Sequence, residues 1–307
     1  MNQIESLRNW ARLIQKTRAY FQDAGFIEVF TNQLVPSGAF ESSLDCLSVQ
    51  WSKGRGELHT SPEIEMKVLL AEIKEPIFQI THCFRDDPKT DCHWVEFTML
   101  EFYEPFVDYQ KVIARTIALI QSLSPKPIPV DYYSMSEIFQ DRVGISLIEN
   151  ATTSKLREVV LKKTICHLDP TDEWNDIFYK ILIEKIEPSL QLDRLTVIQD
   201  YPASQCALGK VSGAITERFE IYGAGMELCN GCTELTDLSE LKIRFESESK
   251  NRAQRGQKPH LFPQRLATAL QNNLPPCAGV AIGLDRIFKM LNPTLPSPNA
   301  SWEIFSG

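Results

Sequence analysis

The chain has 307 residues, 43% hydrophobic and 23% charged, enough apolar content to bury a core, which excludes wholesale disorder. No apolar run reaches the length of a bilayer span, so no membrane-crossing helix is expected. The net charge of −8, from 40 acidic and 32 basic residues, supplies no broad positive field and argues against non-specific nucleic-acid binding.

The N-terminus, Met1-Asn2-Gln3-Ile4-Glu5, has neither the basic nor the apolar stretch of a secretory signal. The eight cysteines are scattered, which fits reduced thiols and a cytoplasmic location. Ile4, Leu7, Ala11, Ile14 and Phe21 repeat at helical spacing, and Gly25 supplies a stop. A short strand is expected at Phe26–Phe30, then loop and short strand through residue 58. Thr60 and Glu63 stand at capping-box spacing with Pro62 between them, so a helix is expected to begin there. Ile77–Arg85 and Glu96–Tyr103 read as an antiparallel hairpin around a long polar loop. Residues 108 to about 190 read as mostly helical, broken by Pro125, Pro127 and Pro129. Strands are expected at Arg194–Gln199 and Arg218–Tyr222, a helix at Asp237–Ala253, and a small-residue strand running into a helix over Ala278–Leu291. Strands arrive in hairpin-like pairs, so the expected fold is α+β with an antiparallel sheet flanked by helices.

Four segments can carry chemistry. On the strand Glu96–Tyr103, alternation puts Phe97, Met99, Glu101 and Tyr103 on one face. That face spans about 20 Å and carries an aromatic slab at one end and a carboxylate with a phenol at the other. Arg85 closes the facing strand, where its planar fork suits a phosphoryl oxygen; a surface salt bridge with Asp86 or Asp87 is the plain alternative. Glu227 and Glu234 flank Leu228-Cys229-Asn230-Gly231-Cys232-Thr233, read as a turn across which two carboxylates can share a divalent cation. The Cys229/Cys232 pair lacks a second ligand pair and reads as packing. In Gly279-Val280-Ala281-Ile282-Gly283-Leu284-Asp285-Arg286, small residues on one strand face allow close backbone approach to a ligand. Arg286 then falls in the first helical turn, where phosphate is favoured.

Taken together and in order, these segments resemble the class II aminoacyl-tRNA synthetases in their lysyl form. Gly25–Val29 is similar to motif 1 and the Phe84–Glu101 region to motif 2. Gly279–Arg286 is similar to motif 3, and Glu227–Asp237 to the metal and amino-acid segment. The near-immediate start at motif 1 resembles the shortened elongation factor P (R)-β-lysine ligase family. So do Ser61 before Pro62-Glu63, Ala281 in the strand, and Tyr201-Pro202-Ala203-Ser204-Gln205. The resemblance implies one catalytic domain over 1–307, with a mostly helical insertion around 124–190 and no anticodon-binding domain. It implies ATP-dependent activation of (R)-β-lysine or lysine, with Mg²⁺, and transfer to a lysine side chain of elongation factor P. It also implies a homodimer, no membrane and no tRNA.

By the same resemblance Arg85 and Arg286 are catalytic. ATP would be met by Arg85, Asp86, Asp87, His93, Trp94, Phe97, Glu227, Leu228, Gly283 and Arg286. The amino acid would be met by Ser61, Pro62, Glu63, Glu101, Tyr103, Asn230, Glu234 and Ala281, and the metal by Glu227 and Glu234. Three positions depart from the pattern: Asp87 is one methylene shorter than the usual glutamate, Trp94 replaces an asparagine and can only donate, and Asn32 replaces a motif 1 proline. Two further readings stay open: an impaired, synthetase-like regulator, and an activating enzyme with another acceptor, a tRNA or a carrier protein.

Overall fold

The computed structural model describes residues 3–86 and 94–298. The chain forms two compact units, one from Met1–Pro127 with Thr233–Gly307, the other from Ile128–Cys232. Asp87 and His93 of the predicted site lie outside the described residues.

The first unit begins with α1 (Gln3–Asp23), β1 (Ile27–Glu28), β2 (Leu34–Val35), β3 (Ser48–Trp51) and β4 (Gly54–Leu58). It continues with α2 (Glu63–Ile73), β5 (Ile77–Phe84), β6 (Glu96–Pro105) and α3 (Tyr109–Leu123). The second unit holds β7 (Val130–Ser134), α4 (Met135–Val143), α5 (Thr153–Lys163), α6 (Trp174–Ile181), β8 (Leu195–Pro202), β9 (Val211–Ser212), β10 (Ile215–Gly223) and β11 (Met226–Thr233). The chain closes the first unit with α7 (Leu238–Gln254), α8 (Gln264–Gln271), β12 (Cys277–Gly283) and α9 (Leu284–Leu291). Among the described residues no helix is long and apolar enough to cross a membrane.

The α+β class is as expected, but the sheets are mixed. In the first unit the order is β1-β5-β6-β12, with β1 parallel to β5 and the other neighbours antiparallel. In the second, β10 pairs antiparallel with β8, β9 and β11, while β7 runs parallel to β8. The proline-rich break therefore leads into a strand that the mostly helical reading of this region did not include.

The stripe of α1 also differs from expectation. Ser6, Leu13, Thr17 and Phe21 are the buried residues, whereas Ile4 and Leu7 are exposed. Gly25 ends the turn at φ +80°, where glycine carries no Cβ penalty. Phe21 then anchors the unit's core, stacked on Phe78 at 4.9 Å and tilted against Phe102 at 4.9 Å. These contacts hold α1 against β5 and β6, the strands that carry the site.

Candidate active site

The register of the first unit's sheet builds a slot on β6. Glu101 lies opposite Gln79 of β5 and Ala281 of β12, and Tyr103 lies opposite Ile77 and Gly279. A Cβ at Gly279 would run into the Tyr103 ring, so this position requires glycine for close approach. The Tyr103 hydroxyl donates to Glu101 Oε1 at 2.5 Å, and the Ser61 hydroxyl donates to Glu101 Oε2 at 2.6 Å. Glu101 is buried. Burial first, and the nearby Glu63 carboxylate second, push its carboxyl up to about 8, against the lowering pull of the two hydroxyls and Lys67. Burial, then the Glu101 charge, holds the Tyr103 phenol well above its ordinary range.

The N-terminus of α2 supplies the slot's next wall. The predicted capping box does not form. The Thr60 hydroxyl donates to the Gly38 carbonyl at 2.9 Å instead, and Pro62 takes the cap position without a side-chain bond. Ser61 Oγ accepts from the Glu63 amide at 3.0 Å, so one hydroxyl ties the helix start to Glu101. Glu63 is spent elsewhere: its carboxylate accepts from Lys67, one turn on, at 2.6 Å. The ammonium of Lys67 also meets Glu234 and sits 5.7 Å from the centre of the Tyr103 ring. Lys67 is 1% exposed and Glu234 3%. Glu234 is pinned by its amide, which donates to the Cys277 carbonyl at 2.9 Å. Ser61, Glu63, Glu101, Tyr103 and Glu234 are thus brought together, with Ala281 opposite Glu101. Lys67 joins them from a position the sequence reading passed over.

A second group lies at the other end of β6. Arg85 follows β5, its amide bonded to the Val95 carbonyl at 2.9 Å. Its guanidinium is 5.2 Å from the centre of the Phe97 ring. The Arg85 Nε is buried and finds no hydrogen-bond partner among the described residues, a donor with its bond still to make. Of the two alternative salt-bridge partners, Asp86 forms no ion pair with Arg85 among the described residues, its amide donating to the Asp45 carbonyl at 3.0 Å, and Asp87 lies outside them. On β12, Gly283 opposes Met99 and α9 begins at once, so Arg286 enters at the same end of the sheet as Phe97. Asp285 fixes that junction by accepting from the Thr98 amide at 2.6 Å. Burial pushes the Asp285 carboxyl up to about 6 even so.

In the second unit, the segment from Glu227 to Thr233 is a strand, β11, where the sequence reading expected a turn. A register shift between Ile221 and Tyr222 pairs Ile221 with Cys229 but Tyr222 with Glu227. The extra residue rotates Glu227 onto the face of Asn230, with Leu228 buried beside it. Asn230 is held at both ends: its Oδ1 accepts from Arg218 at 3.2 Å and its Nδ2 donates to Glu220 at 3.2 Å. Arg218 also pairs with Glu220 at 2.7 Å and lies 4.5 Å from the centre of the Tyr201 ring.

A mainly antiparallel sheet with an arginine after one strand, a second arginine in the first turn of a following helix and an acid-lined slot at the other end of the same central strand defines a class, and the comparisons agree. The family model of class II tRNA synthetases (D, K and N) matches residues 2–294, and the chain belongs to that family. Among its curated relatives are the proteins named elongation factor P–(R)-β-lysine ligase of Mannheimia succiniciproducens and Proteus mirabilis. The first is 35% identical, covering 92% of this chain and 90% of the relative. The second is 33% identical, covering 94% and 91%. The protein so named in Klebsiella pneumoniae is 34% identical over 92% and 90%. The chain is thus an enzyme of the ligase kind within the synthetase family.

Proposed function

We propose that the protein activates a lysine-type diamino acid, (R)-β-lysine or lysine, with ATP and transfers it to a lysine side chain of elongation factor P. The observation that carries this reading is the slot: two buried carboxylates, Glu101 and Glu234, with the buried Tyr103 phenol and the half-buried Glu63 at its edge, are what an ammonium group needs as partners in a low-dielectric site. The names of the relatives supply the acceptor and the choice of (R)-β-lysine.

In this reading the substrate carboxylate attacks the α-phosphorus of ATP. One P–O bond forms, the bond to the bridging oxygen breaks, and pyrophosphate leaves. The protein has little covalent work to do; it positions and neutralises. Arg85, with its unpartnered Nε, meets the α-phosphate and the substrate carboxylate. Phe97 lies under the adenine. Arg286, at the start of α9, takes the outer phosphate. Glu63, Glu101, Tyr103 and Glu234 take the amino groups, and Ser61 and Ala281 trim the space around them. A neutral acceptor amine then attacks the acyl carbonyl, an amide forms, AMP leaves and the amine gives up a proton.

Magnesium prefers hard oxygen donors and keeps several waters. Half-buried Glu227 fits that habit. Glu234, sealed and set against Lys67, fits an amine better than a hydrated ion, which leaves Glu227 as the carboxylate that would hold the metal. Exposed Ile27, Phe30 and Leu34 beside β1 and β2 support a homodimer.

The test is mass spectrometry of elongation factor P incubated with the enzyme, ATP and each amino acid. The reading expects one added lysyl group on a lysine side chain, faster with (R)-β-lysine than with lysine. An unmodified factor beside a modified tRNA or carrier protein would move the acceptor.

A further inference from the structure

Three side chains of metal-binding type meet in the first unit outside the slot. Cys46 comes from the loop before β3, Glu57 from β4 and His260 from the loop after α7. All three are half-buried, and a sulfur, a carboxylate oxygen and a ring nitrogen from them lie within 4.8 Å of one another. Around a tetrahedral zinc ion such donors stand about 3.3–3.6 Å apart, so side-chain shifts of about an ångström close the set. No other group of three such side chains lies this close among the described residues.

The surrounding backbone holds each of the three. The Glu57 carboxylate accepts from the Gly38 amide at 2.9 Å. A Cβ on Gly38 would come within 2.9 Å of Cys46 Sγ, so glycine is what lets the sulfur approach. His260 Nε2 meets the Leu44 carbonyl at 3.0 Å, and the Glu41 carbonyl also lies beside the ring. A carbonyl only accepts, which puts the proton on Nε2 and leaves the lone pair on Nδ1. Metal-binding histidines are oriented by a bond of this kind through their second nitrogen. Arg252, 6% exposed, ties both loops down. It donates to the Ser42 and Leu44 carbonyls at 3.1 Å and to the Lys258 carbonyl at 2.8 Å. Asp45, paired with it at 2.7 Å, answers its charge.

A separate observation points to a ligand here. Gln257 Nε2 donates to Asp45 Oδ2 at 3.0 Å, and a carboxylate accepts, so the orientation of the amide is fixed. Its Oε1 is buried and has no hydrogen-bond partner among the described residues. This orphaned acceptor stands three residues before His260, on an amide tied to the neighbour of Cys46, and an ion or a water would satisfy it.

We propose that Cys46, Glu57 and His260 bind one structural zinc ion, with the Gln257 oxygen or a water in the fourth position. A thiolate, an imidazole and a carboxylate together match zinc, whereas magnesium takes oxygen donors alone. The charges balance: as the Zn–S bond forms the thiol gives its proton to solvent, and thiolate and carboxylate neutralise the dication. The ion joins three segments far apart in the chain. The Gly38 carbonyl accepts from both the Thr60 amide and the Thr60 hydroxyl at 2.9 Å. Through Glu57 and Gly38 the zinc therefore braces the residue before Ser61 and the start of α2.

Untagged protein, stripped with a chelator and reloaded with zinc alone, is expected to retain one zinc per chain through gel filtration and to melt above the stripped form. No retained zinc would overturn the proposal. X-ray absorption at the zinc edge of the wild-type protein is expected to show one sulfur at about 2.3 Å with nitrogen and oxygen donors at about 2.0–2.2 Å. Two sulfurs, as the Cys229/Cys232 pair would supply, or none, would overturn it. Cobalt in place of zinc reports the same bond as a thiolate-to-metal charge-transfer band. The band is expected in the wild type and in Cys232→Ser, and is expected to be lost in Cys46→Ser and altered in His260→Ala; a band that survives Cys46→Ser would overturn the proposal. The absorption measurement needs no variant, so it stays decisive if Cys46→Ser fails to fold. Neither amino acid nor nucleotide enters these measurements, and their outcome is separate from the reading of the slot.

Discussion

Two buried ionic clusters, one in each unit, use the same residue types to opposite ends. In the second unit Arg218, Glu220, Asn230 and Tyr222 close on one another: Arg218 donates to Glu220, to Asn230 and to the Gln205 carbonyl, and Tyr222 donates to Glu220 at 2.6 Å. The Arg218 cation meets the Glu220 anion directly, and Tyr222 also reaches Glu187 at 3.3 Å. In the first unit one ammonium, Lys67, faces three carboxylates, and one of these, Glu101, is pushed up to about 8. Both arrangements cost desolvation. The Arg218–Glu220 pair recovers it within the fold. The surplus of acid recovers it only when a cation arrives from outside, which separates a structural network from a site.

The largest effect that sharpens this contrast is at the Arg218–Glu220 pair. Arg218→Ala leaves Glu220 buried without its guanidinium and should cost about 3–5 kcal/mol in denaturant unfolding, while the folded fraction keeps its activation rate. At the nucleotide end the pattern reverses: Arg85→Ala or Arg286→Ala should lower amino-acid activation by about 10²–10³-fold with the unfolding midpoint nearly unchanged. Equal losses of stability in both clusters would break the comparison.

Glu101→Gln comes next. It should raise the KM for the diamino acid by about 10- to 100-fold, the worth of a hydrogen bond to a charged group. It should also change the stability profile. The Glu101 carboxyl stands at about 8 in the fold against 4.5 ordinarily, so the unfolded chain holds fewer protons between those values. Stability therefore falls as pH rises from about 4.5 to 8, and the loss is complete above 8. Thermal melts of Glu101→Gln should lack that slope and lie above the wild type at pH 8. Gly279→Ala drives a methyl into the Tyr103 ring and should cost about 1–3 kcal/mol, with a matching rise in KM. The smallest effect is a control: Ser134 caps α4 in a capping box with Glu137, and Ser134→Ala should cost about 1 kcal/mol in unfolding and nothing in activation.

The sequence showed most of the first unit's sheet, because β5, β6 and β12 combine period-two alternation with motif residues at their ends. It also showed the α7 start, where Asp237 accepts from the amides of Ser239 and Glu240. It concealed three things. The bulge in β11 is a register property, invisible until β10 is paired with it, so Glu227 looked like one side of a turn. β7 is five residues long after a run of prolines, too short for a period to emerge. Lys67 was misread by omission: Glu63 four residues before it suggests an exposed pair, and only its place beside Met66 and one turn before Leu70 and Ala71 hinted that this face turns inward. The capping box failed because Ser61, one residue after Thr60, offered its hydroxyl to Glu63 and Glu101 together.

The most direct measurement is ATP–pyrophosphate exchange with (R)-β-lysine, lysine and norleucine, which keeps the length of lysine but lacks its terminal amine. The account predicts exchange with the two diamino acids, greater with (R)-β-lysine, and none above background with norleucine. Exchange with norleucine as fast as with lysine, or no exchange with any of the three by folded protein, would contradict it.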